Sequence, residues 1–323
     1  MASRDLRLPA TESRPTRQQR VVTGHREFKF YSFGLRAGLA NLRANGLALG
    51  VKKTVGKISQ PINSHTRFPE YDLFERAIAA HLIKNPTKKT LRILDVGSPK
   101  LFGLYLAVNR PVHITLSDIT ALNIDEYRII WQSLKPKAKG MAFFALEDAR
   151  SLNFPSGEFD IVYSMSVIEH VDGTSGDEKA VEEMLRVLRT GGLLIISVPF
   201  GKEYIEQQRI GFSGAVRETG DSRPYFFQRI YDIAALKTRI LKHAEELKAL
   251  TLKTVWRQHP LLHRGFGLLG QNFRGSVGFA NPFLSKIVNR SCSGIKPDFH
   301  AQYGLLHSAQ DIYGDLVLSG RKP

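Results

Sequence analysis

Short apolar runs alternate with amphipathic helical stretches between residues 91 and 198, and this alternation constrains the fold more than any other feature. Apolar runs that lack a polar residue at every second position are typical of parallel strands covered on both faces. The pattern predicts the α/β class: a doubly wound, mostly parallel, seven-stranded Rossmann-like sheet with helices on both faces. The predicted strands are 91–96, 113–118, 141–146, 159–167, 193–198, 250–256 and 315–319, and the main predicted helices are 74–83, 98–108, 124–134 and 177–189.

The first 68 residues differ in charge from the rest of the chain. They contain 13 of the 46 Lys and Arg residues but only 3 of the 30 Asp and Glu residues, so most of the net charge of +16 lies there. We therefore expect a basic, partly disordered N-terminal extension over 1–68. A single folded domain is expected over 69–323, with an inserted loop or lid at about 261–303. The extension could contact an anionic surface or nucleic acid, or only solubilise the chain.

Within the extension, one stretch has the periodicity of a helix. Leu35, Leu39 and Leu42 recur at helical spacing and predict an apolar face. Packing of that face on the folded domain is favoured over contact with a membrane surface or a partner.

Cysteine content and hydropathy exclude two classes of protein. The one cysteine, Cys292, cannot form an internal disulfide and leaves no cysteine pair for zinc, so a disulfide-dependent secreted fold is excluded. No stretch approaches the roughly 20 consecutive apolar residues of a membrane-spanning helix. The Arg-rich first 20 residues lack the apolar core of a signal peptide. A cytoplasmic protein is therefore expected.

Three acidic residues follow three successive predicted strands. Asp95 closes the first strand and is followed by Gly97 and Ser98. Asp118 closes the second strand, and Asp148 follows the third. The carboxyl ends of parallel strands lie at one edge of the sheet, where such folds bind ligands, and a carboxylate there can accept hydrogen bonds from ribose hydroxyls. This spacing predicts an adenosine pocket.

The strand ends belong to an ordered set of motifs that resembles one enzyme family. The matching segments are ILDVG at 93–97, LSD at 116–118, EDA at 147–149, FDIV at 159–162, VIEHV at 167–171 and LRVLRTGG at 185–192. In this set, over about residues 70–200, the chain resembles the class I S-adenosylmethionine-dependent methyltransferases of the broad small-molecule, type 11-like kind. The resemblance implies S-adenosylmethionine as cofactor. The cofactor-binding residues that it implies are Asp95, Gly97 and Ser98 for the methionine part, Asp118 for the ribose, Asp148 and Ala149 for the adenine, and Ser164 or Met165 through its backbone.

The first motif departs from the family in its glycines. The family often has three glycines at alternate positions, whereas here Pro99 and Leu101 stand at the second and third. A pyrophosphate needs close backbone approach over several residues, so the departure counts more against a nicotinamide dehydrogenase than against a methyltransferase. It also leaves open a non-catalytic binding or scaffold module on the same fold.

Glu169 and His170 are the candidate catalytic residues, because they lie just past the fourth strand. Histidine titrates near neutrality and is the natural base for removing a proton from an acceptor. A capping or packing role is the alternative for His170. Some related RNA 2′-O-methyltransferases bind a metal through a Glu-x-x-Glu-His pattern, but Ser166 replaces the first Glu here, so no metal is expected.

An aromatic and basic cluster further along the chain is the candidate substrate side. Arg223, Tyr225 and Arg229 could hold an anionic or aromatic substrate by charge and stacking. The same segment could instead supply core residues, such as Ile230, to a helix that begins near Gln228.

These features predict transfer of a methyl group from S-adenosylmethionine to an unidentified acceptor. O-methylation of a small molecule, glycan or lipid precursor is the leading interpretation. One alternative is an RNA or other nucleic-acid methyltransferase that uses the basic extension, although no Asn/Asp-Pro-Pro-Tyr/Phe motif is present. The other alternative is the non-catalytic module.

Overall fold

The chain folds around a seven-stranded sheet, as the strand pattern predicts. The computed structural model describes residues 29–30, 32–40, 42, 67–84, 90–209, 224–244, 246–256 and 312–323. The strands are β1 (Leu91–Val96), β2 (Val112–Asp118), β3 (Met141–Leu146), β4 (Phe159–Met165), β5 (Leu188–Gly201), β6 (Ile205–Arg209), β7 (Tyr225–Ile230), β8 (Lys248–Trp256) and β9 (Ile312–Arg321). The central sheet has the order β3-β2-β1-β4-β5-β9-β8, and β6 and β7 form a separate two-stranded sheet.

The strands β1 to β5 pair in parallel, so their carboxyl ends lie at one edge of the sheet. β1 lies between β2 and β4, with Asp95 opposite Leu116 on one side and Tyr163 on the other. β3 pairs with β2 and places Leu146 opposite Asp118. β9 runs antiparallel between β5 and β8. The ends of β1, β2 and β4 therefore meet at the centre of the edge where such sheets bind ligands.

Helices cover both faces of the sheet and produce two separate apolar cores. Ile93 and Leu94, adjacent on β1, point to opposite faces and enter different cores. Phe102 belongs to the core of the first face, and Met184 to that of the second. The helices are α1 (residues 29–30, 32–40 and 42), α2 (Arg67–Lys84), α3 (Lys100–Asn109), α4 (Ala121–Leu134) and α5 (Gly176–Val187), followed by helical residues 233–243.

Helix α1 packs on the domain through aromatic rings rather than through the predicted leucines. The rings of Phe30 and Phe33 are buried, with centroids 4.8 and 5.5 Å from that of Tyr105. Leu35 and Leu39 are 39% and 44% exposed, so the favoured prediction, that the leucine face packs on the folded domain, is wrong. The helical period is as predicted, but the buried face is a different one, because aromatic rings bury more apolar area.

Strand β7 replaces the helix that the sequence allowed near Gln228. It pairs antiparallel with β6, and Gln207 lies opposite Gln228. Ile230 is fully buried, as expected for either structure. Aromatic and β-branched residues favour a strand here, and a short apolar run does not by its period distinguish a strand from a helix.

Several sequence predictions lie outside the described residues. They concern the insert at 261–303, Arg223 and most of the extension over 1–68. The predicted domain boundary after residue 68 falls at the start of α2. Within the parts of the chain that the structure describes, no helix has both the length and the apolar character needed to cross a membrane.

Candidate cofactor and active site

Asp95 is a buried carboxylate at the end of β1. Its Oδ1 accepts a hydrogen bond of 2.8 Å from the Ser98 amide, and its Oδ2 accepts one of 2.9 Å from the Tyr163 hydroxyl. Burial raises the pKa of Asp95 above its ordinary value, although the Lys100 ammonium and these hydrogen bonds oppose the shift. The amide of Ser98 thus folds the loop after β1 back onto the carboxylate.

Gly97 is required by the shape of this loop. Its φ is +69°, in the left-handed region that favours glycine. A Cβ at this position would lie 2.6 Å from Cγ1 of Val167. The backbone of Gly97 and the segment after β4 therefore approach each other more closely than any side chain would allow.

Asp118 lies at the adjacent end of β2 and is partly exposed. Its Oδ1 accepts a hydrogen bond of 2.9 Å from the Thr120 amide. Its Oδ2 lies 3.4 Å from Nδ2 of Asn123 and 3.5 Å from Nζ of Lys100. The two predicted carboxylates, Asp95 and Asp118, are thus neighbours at one site.

Lys100 is a residue of this site that the sequence analysis did not single out. Its side chain is 2% exposed. Its ammonium donates a hydrogen bond of 2.6 Å to the Ser98 carbonyl and lies 3.4 Å from Oδ1 of Asp95 and 3.5 Å from Oδ2 of Asp118. In the sequence, only one feature points to a special role for Lys100. It lies between Pro99 and Leu101, which replace the second and third glycines of the family's first motif.

Asp148 follows β3, and its carboxylate pairs with a neighbouring cation. It accepts hydrogen bonds from the Arg150 amide at 2.9 Å and from the Arg150 guanidinium at 2.6 to 3.1 Å. The hydrogen bonds from Arg150 hold the pKa of Asp148 below its ordinary value. The Glu147 amide donates to the Asp118 carbonyl at 2.9 Å, so the ends of β2 and β3 are joined, while Ala149 packs against the second core.

Ser164 and Met165 connect β4 to the loop after β1. The Ser164 hydroxyl donates to the Val96 carbonyl at 3.0 Å, and the Met165 amide donates to Oγ of Ser98 at 2.9 Å. Both serines therefore have a structural role in addition to the predicted contact with the cofactor.

Glu169 and His170 lie in a short turn, Ile168–His170, just after β4. Nδ1 of His170 lies 2.6 Å from the Phe227 carbonyl oxygen. Since a carbonyl only accepts, Nδ1 is the donor, and in the neutral ring Nε2 carries the lone pair. Nε2 lies 3.8 Å from Oε1 of Glu169, whose side chain is 1% exposed against 39% for His170.

Arg229 and Tyr225, predicted to contact substrate, are both buried in β7. The Arg229 guanidinium donates to the Val171 carbonyl at 2.7 Å and also to the Gly173 carbonyl. Its two terminal nitrogens bond to the loop that follows His170, and Nε lies 3.4 Å from Oε1 of Glu206, so this buried side chain is not presented to a substrate. Its contacts therefore indicate that Arg229 positions this loop.

Glu70 of α2 is a second residue that sequence reasoning missed. It is fully buried over the ends of β4 and β5. Its Oε1 accepts hydrogen bonds of 2.9 Å from the Ser166 hydroxyl and 2.7 Å from the Ser197 hydroxyl. Ser166 has a φ of +50°, unusual for a residue other than glycine. No local pattern connects Glu70 with serines 96 and 127 residues away.

Comparisons with known proteins agree with these motifs. Residues 94–196 match the family model described as a methyltransferase domain. The sterol 24-C-methyltransferase ERG6B of Gibberella zeae is 28% identical over 197 residues, which are 57% of this chain and 49% of that protein. The ajmaline N-methyltransferase of Rauvolfia serpentina is 32% identical over 115 residues, 35% of this chain and 37% of that protein.

A shorter segment matches the 2-methyl-6-phytyl-1,4-hydroquinone methyltransferase of Synechocystis, with 41% identity over 58 residues, 17% of each chain. Among solved structures, the [4+2]-cyclase SpnF aligns with a TM-score of 0.48 and 20% identity over 77% of this chain and 80% of that chain. The match spans about half the length of the first of these curated relatives and less of the others. The matching family model, together with the doubly wound sheet and its strand-end motifs, shows a methyltransferase domain over residues 94–196, of the class I family whose cofactor is S-adenosylmethionine.

Proposed function

We propose that this protein transfers the methyl group of S-adenosylmethionine to a small-molecule acceptor and releases S-adenosylhomocysteine. The observation that carries the proposal is the placement of Asp95 and Asp118. They close adjacent parallel strands, and both lie within 3.5 Å of the same Lys100 ammonium. Asp118 is partly exposed at the ligand-binding edge and suits the ribose hydroxyls of an adenosyl amino acid. Asp95 is fully buried and holds the loop after β1, against which the methionine part would lie.

The residues around this edge fit the cofactor in their shape and in their hydrogen-bonding groups. Gly97, with a φ of +69° and no side chain against Val167, lets the backbone of the loop after β1 turn tightly at this edge. Asp118 is partly exposed, and its two oxygens have lone pairs beyond those used by Thr120 and its other neighbours. The residues proposed to form the cofactor site are Asp95, Gly97 and Ser98 for the methionine part, Asp118 for the ribose, Asp148 and Ala149 for the adenine, and the backbone of Ser164.

When bound, the cofactor supplies an electrophilic methyl group on a positively charged sulfur. The chain must then align an acceptor with that methyl group and, for an O–H or N–H acceptor, remove a proton. His170 is the proposed base, because its bond to the Phe227 carbonyl leaves the lone pair on Nε2. Glu169, with its Oε1 3.8 Å from Nε2, would stabilise the imidazolium that forms. Arg229 would position the loop that carries this turn.

The acceptor is proposed as a small molecule. The names of the relatives above specify a sterol carbon, an alkaloid nitrogen and a hydroquinone, and none names a nucleic acid. These names do not favour oxygen over carbon or nitrogen, so the O-methylation predicted from the sequence is one candidate among three. A glycan or lipid precursor remains within the proposal.

Calorimetric titration with S-adenosylhomocysteine tests the cofactor site. Asp118→Ala removes the proposed charge-assisted contact with the ribose, so it should weaken the binding of S-adenosylhomocysteine by about 1.5–3 kcal/mol. Asp125→Ala is the matched control, because Asp125 lies on the exposed side of α4 and pairs with nearby Arg128. If the folded native protein bound neither S-adenosylhomocysteine nor S-adenosylmethionine, the proposal would fail and a non-catalytic module would replace it.

Transfer of label from methyl-labelled S-adenosylmethionine then tests the acceptor. Sterols, hydroquinones, amines and hydroxylated lipids or glycans form the panel, with single-stranded RNA as the nucleic-acid arm. Label on a small molecule supports the proposal, and label on RNA alone overturns its acceptor class.

A further inference from the structure

The buried ammonium of Lys100 lies between Asp95 and Asp118, the two carboxylates of the proposed cofactor site. The Lys100 ammonium is 3.4 Å from Asp95 and 3.5 Å from Asp118, and its side chain is 2% exposed. The hydrogen bond of 2.6 Å to the Ser98 carbonyl fixes its position. The ammonium is therefore held inside the site and is not a flexible surface charge.

The sequence around Lys100 explains how a lysine is accommodated there. The residue begins α3, directly after Pro99, in the stretch where Pro99 and Leu101 replace two glycines of the family pattern. The side chain turns back under the loop after β1 to reach Ser98 and the two strand ends. The fold thus places one unit of positive charge at the centre of this edge.

We propose that Lys100 determines cofactor selectivity by lowering the affinity of this site for the positively charged sulfonium relative to the neutral thioether. The inference rests on the proposed function, because it requires that the Asp95–Asp118 site binds the cofactor. S-Adenosylmethionine and S-adenosylhomocysteine differ by one methyl group and one positive charge on sulfur. A fixed cation nearby repels the first and leaves the second unaffected.

The surrounding charges do not cancel this effect. Asp95 and Asp118 attract both Lys100 and any ligand cation, so each carboxylate that is neutralised by Lys100 attracts a sulfonium less. The next carboxylate along the edge, Asp148, already pairs with Arg150. The local field is therefore more positive than two strand-end carboxylates alone would produce.

The ratio of two dissociation constants tests the inference. Lys100→Gln keeps an N–H donor for the Ser98 carbonyl but removes the charge. The ratio of the dissociation constant of S-adenosylmethionine to that of S-adenosylhomocysteine should fall about fivefold or more, since unit charges in partly buried sites interact strongly over several ångströms. If Lys100 had a purely structural role, the substitution would weaken the binding of both ligands equally and leave the ratio unchanged.

Two further variants complete the design. Lys137→Gln removes an exposed lysine and should leave the ratio at its native value. Asp118→Asn removes a negative charge, so the ratio should rise even though both ligands lose a ribose contact. If Lys100→Gln does not fold, Lys100→Met replaces it in the test, because it also removes the charge and its ratio should fall likewise.

The failures of the inference and of the proposed function are distinguishable. A folded native protein that binds neither nucleoside overturns both. Binding of both nucleosides, with a ratio in Lys100→Gln or Lys100→Met that stays within about twofold of native, overturns the inference alone.

Discussion

Glu70 and Ser197 are 127 residues apart in sequence, yet the Ser197 hydroxyl donates a hydrogen bond of 2.7 Å to Oε1 of Glu70. The bond joins α2 to β5 at the edge that contains the proposed site. The same oxygen accepts from Ser166, which follows β4 and has a φ of +50°. A single buried carboxylate oxygen therefore holds together a helix and the ends of two strands.

Glu70→Ala should destabilise the fold by about 2–4 kcal/mol, because it leaves the buried Ser197 hydroxyl and the partly buried Ser166 hydroxyl without their acceptor and creates a cavity. Urea denaturation measures the change, and Glu203→Ala, at an exposed position, is the control. A double-mutant cycle with Ser197→Ala should give a coupling energy of about 1–2 kcal/mol. Additive effects of the two substitutions would contradict a direct bond.

How much of the site the sequence predicts depends on how far its contacts reach along the chain. Asp95 and Asp118 could be placed together because parallel strands end at the same edge, whatever else surrounds them. The contacts of Glu70 with Ser166 and Ser197 join distant segments by side chains, and no period or spacing encodes them. The order of strands and helices can be predicted from apolar runs in the sequence. A network of side-chain hydrogen bonds cannot, because its contacts depend on how distant segments pack.

Helix α1 shows the same limit in a simpler form. The apolar positions of Leu35 and Leu39 and those of Phe30 and Phe33 both fit a helical period. The face that is buried is chosen by what it packs against, here the ring of Tyr105. The helix itself was therefore predictable, and its orientation was not.

His170→Asn should separate catalysis from structure. Asparagine can still donate to the Phe227 carbonyl but has no nitrogen that accepts a proton. We expect methyl transfer to fall by about 10²–10⁴-fold, the usual contribution of a general base, with unchanged affinity for S-adenosylhomocysteine. Single-turnover assays with the identified acceptor measure the first quantity and calorimetry measures the second.

The control for this substitution is His113→Asn, since His113 is an exposed histidine on β2 that contacts Phe143 edge to face. It should leave methyl transfer unchanged. If His170→Asn kept full turnover, His170 would not be the base and would have a capping or packing role.

Gly97→Ala should be costly for two independent reasons. The residue has a φ of +69°, and its Cβ would lie 2.6 Å from Cγ1 of Val167. Left-handed strain alone costs about 1–2 kcal/mol, and the contact adds to it. Gly191→Ala is a matched control, because Gly191 has a φ of +74° with nothing within 4 Å of its Cβ.

The difference in unfolding free energy between the two alanine variants therefore measures the contact with Val167. Adding Val167→Ala to Gly97→Ala should recover part of that difference but none of the backbone strain. Equal destabilisation in Gly97→Ala and Gly191→Ala would show that the loop after β1 can move away from Val167.

Asp177 should make the stability of the fold depend on acid pH. Its carboxylate is fully buried and accepts hydrogen bonds from Arg239 at 2.7 and 2.8 Å and from the Tyr231 hydroxyl at 2.8 Å. Burial by itself would raise the pKa of Asp177, but these hydrogen bonds and the nearby charge of Arg229 outweigh it and hold the pKa below its ordinary value. The folded state therefore favours the ionised form more than the unfolded state does.

The sign of the pH effect follows from this depressed pKa. The stabilisation is fully present above the unfolded pKa of about 3.9 and is lost as the pH falls through the lower folded value.

Asp177→Asn should cost about 3 kcal/mol at pH 7, because it leaves Arg239 and Arg229 without a buried counter-charge. Urea denaturation between pH 7 and about pH 3 should show this deficit shrinking below about pH 4, because the unfolded chain takes up a proton at Asp177 at higher pH than the folded protein does. Asp125→Asn, whose side chain is 61% exposed, should change stability little at any pH. A deficit that stays constant down to the lowest pH would mean that Asp177 titrates alike in the folded and unfolded chains.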